Sequence, residues 1–236
     1  MVAKRVPDQK ENVFRIYGMR RSGNHAIIDW LFRNAPDGSG LFLNNCRPGR
    51  DPLQTTRAPQ LYVNGVAEPF DPGRHSTDVS FVEVSYEDAV PPAKLDPLLD
   101  TPETCIAIQR SVENWAASLL RKIQKNPDYT LVDRMRVMMK SLSLYRDMRM
   151  RAAAADIAVI QYDDWVGDEA YRLAMLKELA LPGRDLSLGE TQPFGGGSSF
   201  GSDGDRTTRA AQMAEDWEYQ LIMSVAVRDG LVDIVQ

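Results

Sequence analysis

Apolar positions along the chain fall into two alternating rhythms. Short β-prone runs occur at Phe14 to Tyr17, Leu41 to Leu43, Val79 to Ser85, Thr104 to Gln109 and Ile157 to Gln161. Between them apolar residues recur every three or four positions, the signature of a helix with one buried stripe. Such stripes are Ala26, Ile27, Trp30 and Leu31; then Trp115, Leu119 and Ile123; then Leu131, Val137, Met138, Leu142, Leu144 and Tyr145 within 130–155. A further helix is predicted over about 168–179, stopped by Leu181-Pro182-Gly183, and a last one from near Thr207, with Trp217, Leu221 and Ile222 inward, ending before Gly230. Strands that alternate with helices predict an α/β fold: one domain, a three-layer sandwich with a central, mainly parallel sheet flanked by helices and sites at the carboxyl ends of its strands.

Two stretches break the rhythm. Residues 1–13 read as a polar tail ahead of a domain spanning 14–236, and no apolar run has the length of a leader or a membrane span. Residues 44–72 are rich in Pro, Arg, Gly and Asn and are expected to form an irregular insert shaping or covering a pocket, with Leu61, Tyr62, Val63 and Phe70 as anchors. A hydrophobic share of 43% with 26% charged residues fits a soluble globular protein. The net charge of -5 argues against a general nucleic-acid binder, which needs a basic face. Cys46 and Cys105 stand far apart without metal-ligand spacing, so neither a disulfide framework nor a metal site is expected, and a reducing, cytoplasmic setting suits the chain.

The most informative chemistry lies between the first strand and the first helix. Met19 to His25 holds Arg20, Arg21, Ser22 and Gly23 where the backbone must turn, so amide groups and the positive end of the helix can converge on an anion. Gly18 and Gly23 have the spacing of a Walker A loop, but Asn24 and His25 stand where that motif has Lys and Ser or Thr. A nucleoside triphosphatase needs those two groups for metal-bound phosphates, so the loop reads as one for a phosphate handled without a metal. A second strand-to-helix junction carries Arg110 and, eight residues on, Ser118, placed on nearly the same side of a helix.

These motifs resemble, in order along most of the chain, the sulfotransferases that use 3'-phosphoadenosine 5'-phosphosulfate (PAPS). Arg20-Arg21-Ser22-Gly23-Asn24-His25 is similar to that family's 5'-phosphosulfate loop, Pro-(Lys/Arg)-Ser-Gly-Thr-Thr, with Arg21 on the basic catalytic position. It departs from it at Arg20, Asn24, His25 and Ala26. Arg110 and Ser118 match the family's pair for the 3'-phosphate. Tyr162-Asp163-Asp164 resembles a Tyr-Glu-Asp segment whose tyrosine contacts adenine, and Ser198-Ser199-Phe200 a Thr-Ser-Phe segment closing over the same base, so Tyr162, Ser198 and Phe200 are candidates. Arg209 roughly occupies the place of a last phosphate-binding arginine.

The resemblance implies transfer of a sulfuryl group from PAPS, with no metal, to a hydroxyl or amine of a saccharide or small molecule, releasing adenosine 3',5'-bisphosphate. Its spacing places the acceptor-side base at Glu87, with Asp88 and His25 as substitutes; the same acidic residues also read as a solvated turn. A P-loop kinase for a small molecule and a non-catalytic nucleotide-binding module are the competing readings. The acceptor and the oligomeric state are left open by the sequence.

Overall fold

The structure is a computed structural model, and it describes residues 12–71, 74–75, 79–93, 103–154, 157–189 and 206–233. Strand β1 (Asn12–Gly18) runs into helix α1 (Asn24–Arg33), followed by β2 (Gly40–Leu43), a one-turn helix α2 (Pro52–Thr55) and the strands β3 (Gln60–Val63) and β4 (Val66–Pro69). Then come β5 (Phe81–Glu87), β6 (Glu103–Gln109), α3 (Val112–Gln124), α4 (Leu131–Ala154), β7 (Ala158–Gln161), α5 (Tyr162–Gly167), α6 (Glu169–Glu178), α7 (Arg209–Gln212) and α8 (Trp217–Arg228). Seven strands form one mixed sheet in the order β4-β3-β2-β5-β1-β6-β7. The five strands β2, β5, β1, β6 and β7 pair in parallel with one another, and the pairings β2–β3 and β3–β4 are antiparallel.

Helices α1, α5 and α6 cover one face over a core of Phe14, Ile16, Ile106, Ile108 and Ile160. Helices α3, α4 and α8 gather around Trp115, Met138, Leu142, Tyr145 and Ile222, an arrangement consistent with a three-layer sandwich. In the 24-residue α4 the buried positions Met138, Leu142, Tyr145, Met148 and Ala152 follow one stripe at intervals of three and four, which is why so long a helix stays on the body of the domain. Among the described residues no helix is long and apolar enough to cross a membrane.

Three expectations need correction. The stretch 44–72 is not irregular throughout: β3 and β4 form a hairpin that extends the sheet, with Tyr62 fully buried and stacked on Phe32 at 3.9 Å. The last helical region is broken into α7 and α8, because Asp216 caps α8 by accepting hydrogen bonds from the amides of Glu218 and Tyr219. In α8, Trp217 and Leu221 face outward and Tyr219, Ile222 and Ala226 face the core, one position out of phase with the predicted stripe.

Candidate anion-binding site

Glycine is required at both ends of the loop that joins β1 to α1. A Cβ on Gly18 would lie 2.2 Å from Asn24 Oδ1, and one on Gly23, whose φ is 91°, would lie 2.0 Å from the Tyr162 ring. Between them Arg21 has a φ of 72°, a left-handed conformation that costs a non-glycine residue about 1–2 kcal/mol, and the Ser22 amide donates to the Met19 carbonyl at 3.1 Å. Asn24 turns back into the loop and donates through Nδ2 to the same carbonyl at 3.2 Å. The loop is thereby closed on itself where it enters the first turn of α1 at the carboxyl end of β1, a place in a fold that favours an anion.

Side chains from four elements meet at this loop. Arg21 donates from Nε to Ser118 Oγ at 3.4 Å, and Arg110 from Nη1 to the Arg21 carbonyl at 3.3 Å. The Arg110 guanidinium stands over the Tyr162 ring, 5.1 Å from its centroid, and that ring is in turn stacked beside Trp165. Asn114 of α3 holds the start of α7 by donating to the Thr207 carbonyl at 2.6 Å and accepting from the Ala210 amide at 2.9 Å. That contact brings Arg209 inward, where it is 3% exposed; Arg110 is 5% and Ser118 4% exposed. Arg110 is further held by Tyr145, whose hydroxyl donates to its carbonyl, and it donates from Nη2 to the Arg206 carbonyl.

The three arginines feel one another. Burial lowers the pKa of Arg21, a trend that Tyr162 and Glu87 oppose and Arg209 reinforces. Burial also lowers that of Arg110, with Tyr162 and Asp163 opposing and Arg209 and Arg21 adding to it. Among the described residues Asp163 is the carboxylate beside Arg110, and it is only partly available. Its Oδ2 accepts from the Ser111 amide at 2.7 Å, while its Oδ1 lies 3.7 Å from Arg110 Nε, too far for a hydrogen bond. Ser22 Oγ and Arg110 Nε are buried polar atoms with no hydrogen-bond partner among the described residues. Unmatched donors beside a desolvated positive cluster are suited to an oxyanion.

The remaining sequence candidates fall into four groups. Glu87 is the last residue of β5, in register with Gly18 at the end of β1, half-buried and close enough to act electrostatically on Arg21. Asp88 and Arg20 engage each other instead: Asp88 accepts from the Arg20 amide at 2.9 Å and from its Nε, and its own amide donates to the Gly18 carbonyl at 3.1 Å. Asp88 thus ties the loop to the end of β5 and is a positioning group. His25 points toward β2, with Nε2 3.4 Å from Asn44 Oδ1 and its ring edge-on to Phe42, away from Arg110 and Ser118. Ser198 and Phe200 lie outside the described residues. Asn114 was not singled out from the sequence, Tyr145 was read only as a core position of its helix, and Asp163 was quoted beside Tyr162 but given no role. Asp163 had a signal, since it follows Tyr162 at a strand end, whereas Asn114 and Tyr145 act through contacts that no local pattern announces.

Comparison with known proteins finds no family model and no curated protein that matches the chain.

Proposed function

We propose that the chain is a PAPS-dependent sulfotransferase. The observation that carries this reading is the convergence of Arg21, Arg110, Arg209 and Ser118 beside the β1–α1 loop, with Glu87 one strand away at the same sheet edge. A donor with two separated phosphate groups gives such a site its anions: the loop and Arg21 serve the 5' side, and Arg110, Ser118 and Arg209 the 3' side. Tyr162 supplies an aromatic face and a hydroxyl near both.

In the reaction the acceptor oxygen attacks sulfur as the bridging S–O bond to the 5'-phosphate breaks. Glu87 takes the proton that the acceptor loses, and the departing phosphate leaves with its new charge held by Arg21 and the loop amides. The two requirements meet across a short span because Gly18 and Glu87 are register partners on adjacent strands. The kinase reading is less well supported: His25, which stands at the hydroxyl position of a Walker loop, turns toward Asn44, and Asn24, at the lysine position, folds into the loop.

Thermal stabilisation by three ligands tests the proposal. Adenosine 3',5'-bisphosphate is expected to raise the melting temperature clearly more than adenosine 5'-phosphate or ATP with magnesium. Preference for ATP with magnesium sinks the sulfotransferase reading.

A further inference from the structure

The segment that leaves β2 is built as a rigid platform beside Glu87. The Cys46 amide donates to the Ser85 carbonyl at 2.8 Å and the Asn45 amide to Ser85 Oγ at 2.9 Å, so the chain is fastened to β5 two residues before Glu87. The far end returns to the same place: the Arg57 amide at 2.8 Å and Thr56 Oγ1 at 3.3 Å both donate to the Asn44 carbonyl. Asn44 also faces His25 and accepts from Ser85 Oγ through its side chain, so the base of the platform abuts the first turn of α1. Cross-bracing comes from the Arg47 amide, which donates to Thr55 Oγ1 at 3.2 Å, and from Asp51, which caps α2.

On this platform Arg47-Pro48-Gly49-Arg50 is a closed turn. The Arg50 amide donates to the Arg47 carbonyl at 3.2 Å and Gly49 has a φ of 72°, so the two arginine Cα atoms are held within about 7 Å. Both arginines are exposed, and neither they nor Arg57 form an ion pair among the described residues, whereas Arg20, Arg33, Arg134 and Arg228 do. The only acidic residue of the loop, Asp51, spends both carboxylate oxygens on Leu53 and Gln54. Two arginines this close make a local positive spot on a protein of net charge -5. It lies one residue beyond an amide bonded to the strand that ends in Glu87.

We propose that Arg47 and Arg50 form an anion clamp for the acceptor, so that the acceptor is itself negatively charged, carrying a carboxylate, phosphate or sulfate near the hydroxyl that is modified. This inference rests on the sulfotransferase reading for the identity of the second substrate. The clamp is separate from the donor cluster, since its arginines belong to the β2–β3 connection and not to the β1–α1, β6–α3 or α7 segments. Two guanidiniums carried on Cα atoms this close can converge on one or two oxyanions, and the hydrogen-bonded base keeps the turn beside the end of β5.

The test is equilibrium binding of four probes to the full chain saturated with adenosine 3',5'-bisphosphate: a hyaluronan hexasaccharide for carboxylates, a heparin hexasaccharide for sulfates, glycerol 3-phosphate for a phosphate ester, and the uncharged maltohexaose. At least one anionic probe is expected to bind ~10-fold or more tightly than maltohexaose, with a preference that shrinks as salt is raised. In the Arg47→Ala/Arg50→Ala variant that preference should vanish while adenosine bisphosphate affinity stays as it was, which also shows that the variant is folded. Arg47→Lys/Arg50→Lys should restore part of it. An anionic preference absent from the wild type, or one unchanged in the double alanine variant, overturns the clamp. If adenosine bisphosphate fails to bind while the anionic preference still follows Arg47 and Arg50, the donor reading falls and the clamp stands.

Discussion

Two clusters of like charge lie in this protein, and they are neutralised in different ways. At the carboxyl end of the sheet Arg21, Arg110 and Arg209 crowd around Ser118 and Tyr162. Half-way along the sheet, beneath α1, Glu83 of β5 is fully buried near Asp29 and the Tyr62 hydroxyl, and both of its carboxyl oxygens lack a hydrogen-bond partner among the described residues. A buried carboxylate can take up a proton and become neutral. A guanidinium cannot lose one at any ordinary pH. The acidic cluster can therefore resolve its own charge inside the core, whereas the basic cluster keeps its charge and is suited to an anionic partner. The second also sits at the carboxyl end of the sheet beside the Tyr162 ring, and this is the physical reason to propose it as a ligand site and to read the first as part of the fold.

The sharpest way to test the basic side is to remove the proton acceptor proposed next to it. Glu87→Gln preserves size and removes basicity, so turnover should fall by ~10²–10⁴-fold with adenosine bisphosphate affinity nearly unchanged. Asp88→Asn is the informative companion. Its contacts with Arg20 and Gly18 position the loop, so it should weaken donor binding more than it lowers turnover at saturation. A Glu87→Gln enzyme with normal turnover would remove Glu87 from the mechanism.

Next in size is the donor cluster itself. Arg110→Ala deletes a charge-assisted contact and is expected to cost about 1.5–3 kcal/mol, or roughly 10- to 150-fold, in adenosine 3',5'-bisphosphate affinity measured by calorimetry. Adenosine 5'-phosphate, which lacks the 3' group, should lose much less. Equal losses for the two ligands would mean that Arg110 supports the fold of the loop, through its bond to the Arg21 carbonyl, and does not read the phosphate.

What the sequence made legible follows from how each feature is encoded. The parallel strands and the glycine loop were readable because strong apolar runs and a fixed Gly18-to-Gly23 interval are local signals. The hairpin of β3 and β4 was not, since these are four-residue strands at one margin of the sheet, interrupted by polar residues, with Val63 and Val66 exposed and Pro69 at the end of the edge strand β4. The phase of α8 was misread because Trp217 sits at its very start, where a large ring can face solvent without exposing the core. Arg209 was placed by resemblance alone, and its burial depends on Asn114, a contact across 96 residues that no periodicity reveals. Glu83 gave no signal either, because a glutamate in a β-strand ordinarily points outward.

The acidic cluster supplies the last and smallest expected effect. Burial, followed by the neighbouring charge of Asp29, raises the pKa of Glu83 well above the ordinary carboxylate value. Asp29 is itself raised by burial, although Arg33 opposes this by donating to it at 3.1 Å. A folded-state pKa above the unfolded one means that the folded form retains a proton which the unfolded chain releases. The stabilisation is then fully present below the unfolded pKa and is lost as the pH rises toward the folded one. Glu83→Gln keeps a neutral side chain at every pH, so the two proteins should be similarly stable near pH 4.5 and diverge above it. The difference in unfolding free energy should grow in favour of the variant with a slope approaching about 1.4 kcal/mol per pH unit. Urea unfolding of both proteins from pH 4.5 to 8 measures it. Parallel curves would show that Glu83 ionises as readily in the fold as in the unfolded chain. The acidic cluster would then hold charge as the basic one does, and the distinction between a proton-neutralised core and a basic cluster suited to an anion would be lost.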